Sequence, residues 1–144
     1  ELISNFNSDD KLINKIHLQT DFKCLSMLLD ERLMIQAVQN LISNAIKYAQ
    51  PNPVVQIKIF ENADDIILSV QDNGIGIPEK DQKQLFQAFF RACNVSRIDG
   101  NGLGLNIVKE SVRLHGGTIN FESKENQGST FYIHLPKNIL KQEN

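Results

Sequence analysis

Between Asp30 and Pro51 the apolar residues Leu33, Met34, Ala37, Val38, Leu41, Ile42, Ala45 and Ile46 recur at helical spacing. At about 100° per residue they share one face of a helix, and that face reads as core. The opposite face is unusual. Gln36, Asn40 and Asn44 stand four apart, and the stripe continues into Lys47 and Tyr48, so amides and one lysine occupy a face where solvated helices carry many charges. Asp30 offers an N-cap, Glu31 and Arg32 fill the first turn, and Pro51 and Pro53 stop the helix, which is predicted over residues 31–48.

The neighbouring segments alternate with a period of two. Asn14 to Thr20 sets Ile16 and Leu18 against Lys15, His17 and Gln19, a strand with His17 on its polar side. Val54 to Phe60 and Ile66 to Val70 follow, and the Asn62 to Asp65 turn between them predicts an antiparallel hairpin. Directly after comes DNGIGIP, Asp72 to Pro78, whose two glycines allow a sharp turn and close approach to the backbone. Pro78 and Glu79 suit the start of a short helix running towards Leu85 and Phe86. Ala92 to Asn101 has little periodicity and is a candidate mobile loop. A second helix pattern runs from Leu103 to Leu114 and ends at His115-Gly116-Gly117. Thr118 to Ser123 and Ser129 to Leu135, joined about Gly128 and closed by Pro136, complete the pattern.

With 144 residues the chain suits one domain with a core of its own. A net charge of -2 and no basic cluster argue against a nucleic-acid surface. Cys24 and Cys93 lie in no CxxC or CxxH pattern, so reduced thiols are expected in place of a thiolate metal site. There is no apolar run of membrane length and no signal peptide, so this piece is expected to make no membrane contact. An opening Glu1 in place of Met suggests a fragment or processed product, with room for an anchor elsewhere. Residues 1–13 read as a linker and residues 137–144 as a polar tail around a domain spanning 14–136.

Three polar or glycine-rich elements stand out: the stripe of Asn40, Asn44 and Lys47, the turn from Asp72 to Gly76, and the turn from Gly100 to Gly104 that opens a helix. Singly, each is ordinary as a structural feature. Jointly they supply what a nucleotide needs. Amide oxygens can ligate Mg²⁺ while a lysine pairs with phosphates. Asp72 is an acceptor-only carboxylate suited to an exocyclic amine such as that of adenine. Gly100, Gly102 and Gly104 let backbone amides approach a polyphosphate.

In these motifs the chain resembles the catalytic ATP-binding domain of bacterial sensor histidine kinases, of the Bergerat-fold superfamily shared with Hsp90-type chaperones, type II topoisomerases and mismatch-repair ATPases. The resemblance rests on NLISNAIKY from Asn40 to Tyr48, DNGIGIP from Asp72 to Pro78, LFQAFFR from Leu85 to Arg91, GNGLGL from Gly100 to Leu105, and Gly128 to Phe131. It implies an α+β fold: a two-layer sandwich of about five strands in a mixed, mostly antiparallel sheet packed on three helices. It further implies that Asn40 and Asn44 hold Mg²⁺, that Lys47 and Tyr48 face the phosphates or sugar, and that Asp72 takes the adenine amine with help from Thr130. Gly74, Gly76 and Ile77 would also belong to the nucleotide-binding residues. Residues 92–101, Gly100 among them, would form a lid, with Gly102, Leu103, Gly104 and Leu105 at its hinge beside the phosphates. Arg91 and the aromatics before it would couple the lid to a partner domain, with Lys47 and Arg91 supporting phosphate or transfer. Gln87, Phe90 and Asn101 depart from the residues common in the family, which implies altered lid contacts and retained binding.

ATP-hydrolysing relatives resemble one another in having glutamate where this chain has Asn40, and an amide cannot act as that base. The resemblance therefore implies transfer of the γ-phosphoryl to a histidine on a separate dimerisation domain, then relay to a response regulator, in the cytoplasm or the cytoplasmic part of a membrane-anchored sensor. That histidine is usually followed by an acidic residue, whereas His17, His115 and His134 precede Leu18, Gly116 and Leu135. The chain is expected to lack its own phosphoacceptor. A nucleotide-binding regulatory module without transfer, and an anti-sigma-type serine kinase, are the alternatives.

Overall fold

The computed structural model describes residues 15–95 and 97–139. The predicted linker over residues 1–13, position 14, and residues 140–144 of the predicted tail lie outside the described residues. In chain order the elements are β1 (Ile16–Thr20), α1 (Glu31–Tyr48), β2 (Val55–Glu61), β3 (Asp65–Asp72), α2 (Glu79–Gln82), α3 (Gly104–Leu114), β4 (Thr118–Lys124) and β5 (Gly128–Pro136). Short 3-10 turns lie at Cys93–Val95 and Lys137–Ile139.

One five-stranded sheet runs in the order β1-β2-β3-β5-β4. Among the described residues only β1 with β2 is parallel; the other three pairings are antiparallel. The β2–β3 turn closes as the sequence predicts, Asn62 Oδ1 accepting the N–H groups of Asp64 and Asp65 at 2.9 and 2.7 Å. Register aligns Ile57, Val70 and Phe131 across three strands, so alternate residues of each face one side. On that side Val55, Ile57, Val70, Phe131, Ile133 and Leu135 pack against Met34, Ala37, Val38, Leu41, Ile42 and Ala45 of α1 and Val108 and Val112 of α3. This is the α+β sandwich: a mixed, mostly antiparallel sheet under three α-helices.

Leu41 and Ile42 are 2% and 1% exposed, and burial of each is worth about 2 kcal/mol. That packing fixes the rotation of α1 and so the direction of its amide stripe. Asp30 caps the helix as expected, its Oδ1 accepting the Leu33 N–H at 3.1 Å. His115 adds a staple that no sequence pattern indicated. Its Nε2 accepts the Asp30 N–H at 2.9 Å and its Nδ1 lies 2.6 Å from the Ser111 carbonyl, which ties the end of α3 to the start of α1.

Two expectations change. Leu18 is 52% exposed because β1 is the sheet edge and only Ile16 of this strand packs on the core. The helix after Pro78 is a single turn, and Leu85 and Phe86 reach the core from the turns that follow it.

Candidate nucleotide site

A cavity of about 350 Å³ opens between α1, the turn after β3 and the segment entering α3. Asp72 marks one end. It sits at the last position of β3 on the core side, 9% exposed, with Oδ1 accepting the Gly74 N–H at 2.8 Å. Burial pushes its carboxyl above the usual range, opposed by the N–H groups of Gly74 and Ser129. The following turn is locked against the β4–β5 hairpin. The Asn126 N–H donates to the Ile75 carbonyl at 2.7 Å and the Ile77 N–H to Ser123 Oγ at 2.9 Å. Gly76, at φ 64°, lies so close to the Lys124 carbonyl that a Cβ would collide with it.

The other end is polar and cationic. Lys47 Nζ lies 4.6 Å from the Tyr48 ring centroid, a cation–π contact that holds the ammonium at the cavity wall. A Cβ at Gly100 would be 3.1 Å from that Nζ, and one at Gly104 would be 3.6 Å from Asn40 Oδ1 and 3.8 Å from Asn44 Nδ2. The first turn of α3 therefore crosses the amide stripe at contact distance. No side chain caps α3, so its leading N–H groups and its dipole are available to an anion beside Gly104 and Leu105.

Between these ends run Ala92 to Val95 and Arg97 to Asn101, the residues expected to form a lid. Arg91 donates to the carbonyls of Val95 and Ile98, gathering the segment into a compact loop. The Cys93 N–H donates to Asp81 Oδ2 at 2.8 Å, and this bond holds the Asp81 carboxyl below its usual range. Gly102, at φ 73°, passes the Phe89 and Phe90 backbone with no space for a Cβ.

The sequence-derived residues divide as follows. Asn40, Asn44, Lys47, Tyr48, Asp72, Gly76, Ile77, Gly100, Gly102, Leu103, Gly104 and Leu105 all line this cavity. Gly74 does not; it lies beneath, where a Cβ would strike the Tyr48 carbonyl. Thr130 is a correction: strand alternation turns it away with Gln71 and Glu122, while Ser129, 7% exposed, lines the cavity. The signal was present, because Ser129 is in phase with Phe131 and Ile133. Arg91 lines the cavity, with its guanidinium donating to the Val95 and Ile98 carbonyls. The aromatics of the LFQAFFR run separate: Phe86 packs edge-on to Phe121 and Phe131, Phe90 lines the cavity, and Phe89 is 73% exposed at φ 65°. Among the described residues no group of three or more His, Cys, Asp and Glu could hold a metal, and no helix is long and apolar enough to cross a membrane.

A carboxylate at one end, and a cation beside the start of a helix at the other, match a ligand with an amino-bearing base and a polyphosphate; this is the class of nucleotide-binding domains. Residues 29–139 match the family of histidine kinase-, DNA gyrase B- and HSP90-like ATPases. The chain belongs to this ATP-binding family, in the form found in sensor histidine kinases. It is 42% identical over 113 residues to the circadian input-output histidine kinase CikA of Synechococcus elongatus, covering 77% of this chain and 15% of that protein. The mycobacterial sensor histidine kinase MprB superposes with a TM-score of 0.78 at 26% identity, covering 94% of this chain and 93% of that one. The catalytic domain of histidine kinase ThkA gives a TM-score of 0.77 at 30% identity, covering 94% and 92%, and ThkA is also known in complex with the response regulator protein TrrA. Among curated relatives the chain thus spans a minor part, 15% of CikA.

Proposed function

We propose that this domain binds Mg-ATP and donates its γ-phosphoryl to a histidine on a separate dimerisation domain, for relay to a response regulator. The observation that carries the reading is that a buried carboxylate and an amide–lysine wall face one cavity under an uncapped helix start. Asp72 takes the adenine amine, and its burial excludes competing water. Lys47 and the leading N–H groups of α3 take the phosphates. The neutral amides of Asn40 and Asn44 fit a hard cation already carrying phosphate and water oxygens, and such an ion neutralises charge on the transferring group.

Asn40 offers no base to deprotonate water, so hydrolysis is slow and positioning carries the reaction. The acceptor comes from elsewhere. His17 is exposed on β1, His115 has both ring nitrogens engaged, and His134 Nδ1 lies 3.6 Å from Asp65; none lines the cavity. The complex of ThkA with a response regulator supports the proposed relay partner, and the proposed setting is the cytoplasm.

The test supplies [γ-³²P]ATP, Mg²⁺ and a histidine-bearing dimerisation domain of a sensor kinase. Acid-labile, alkali-stable label on that domain, with little free phosphate, is expected. Rapid phosphate release without label on the protein overturns the reading.

A further inference from the structure

Behind the Asp72 end of the cavity two serines face each other across the β4–β5 hairpin. Ser123 Oγ lies 2.8 Å from Ser129 Oγ and 3.2 Å from the Gly128 carbonyl, and it accepts the Ile77 N–H at 2.9 Å. Gln82 Nε2 donates to the Ile77 carbonyl at 3.1 Å and to the Ser123 carbonyl at 3.2 Å, so both backbones are clamped. Ser129 lines the cavity beside Asp72; Ser123 does not.

Counting protons limits what this pair can do. Each hydroxyl has one proton to give. If Ser123 gives its proton to Gly128, the 2.8 Å bond between the hydroxyls is kept only when Ser129 gives its own proton to Ser123, and Ser129 then shows the cavity only lone pairs. If Ser123 gives its proton to Ser129, at the shorter of the two distances, the Ser129 proton is free to enter the cavity. An adenine whose amine meets Asp72 presents a ring-nitrogen acceptor, N1, on the same edge, and only the second arrangement supplies a donor for it.

We propose that Ser123 is a positioning residue for base recognition: by donating to Ser129 it orients that hydroxyl as a donor to the ring nitrogen next to the adenine amine. This rests on the nucleotide reading above. Guanine and hypoxanthine present N1–H and O6 on that edge, so the same hydroxyl and Asp72 both mismatch them.

The test compares ATP with 1-deaza-ATP, which lacks that ring nitrogen, by calorimetric titration of the intact chain in Mg²⁺. The unmutated chain is expected to prefer ATP by roughly fivefold, the worth of one neutral hydrogen bond. In Ser123→Ala the preference falls towards one, Ser123→Thr restores it, and in a Ser129→Ala background Ser123→Ala changes nothing further. A preference unchanged in Ser123→Ala, with both ligands weakened alike, makes Ser123 merely structural and overturns the proposal. If Ser123→Ala does not fold, the Ser123→Thr and Ser129→Ala ratios decide: an undiminished preference in Ser129→Ala, or its loss in Ser123→Thr, also overturns it. No ATP binding by the unmutated chain would instead remove the nucleotide reading itself.

Discussion

Asp72 is under two opposed demands. The proposed recognition of an amine needs its charge, and burial resists that charge. Its raised pKa means that the stability this group contributes is full below the unfolded carboxylate range and is lost as pH rises through the folded value. Asp72→Asn should therefore be as stable as the parent or more so at neutral pH, the difference shrinking as pH falls, in urea unfolding. The same variant should lose about one to two orders of magnitude in ATP affinity, the worth of a hydrogen bond to a charged group. The identity of Asp72 was readable from its place after an alternating strand and before two glycines. Its partners were only half readable: Thr130 was expected at the base, yet Ser129 is the residue that lines the cavity, because strand phase, available in the same residues, outranks motif position.

Elements with a strong period were read correctly and those governed by single contacts were not. The eight apolar positions of α1 and the alternation of β2, β3 and β5 define both their type and their buried side. By contrast the shortness of α2, and the compact lid, depend on particular bonds across the chain. Arg91 to Val95 and Ile98, Asp81 to Cys93, and Asn94 Nδ2 to the Gly76 carbonyl at 3.0 Å leave no periodic trace. The Asp81 bond can be tested by pH. Its carboxyl is held low by the Cys93 N–H, so the tether is intact above the ordinary carboxylate range and is lost as pH falls through the lowered value. Hydrogen exchange at the Cys93 amide, corrected for intrinsic rates, should stay protected until that acid limit is reached. In Asp81→Asn the protection should be reduced at every pH above that limit; equal protection in both proteins there would show that this segment is held by something else.

For the molecule as a whole, the sheet and helices act as a rigid support that aims both ends of the cavity. Ile133 is fully buried on β5, an inner strand of the sheet, and does not line the site. Ile133→Ala should cost about 2–5 kcal/mol in denaturant unfolding and leave ATP affinity of the folded protein within about twofold, since its own side chain does not line the cavity. A large affinity loss would mean that the core and the site are coupled. The decisive measurement is calorimetric titration of ATP into the unmutated chain and Asn44→Asp, each with Mg²⁺ and with Mg²⁺ chelated. One saturable site is predicted, tightened by Mg²⁺ in the unmutated chain, with that Mg²⁺ dependence altered in Asn44→Asp. No binding at millimolar ATP, or equal affinity in all four titrations, would contradict the assignment of this cavity to Mg-ATP.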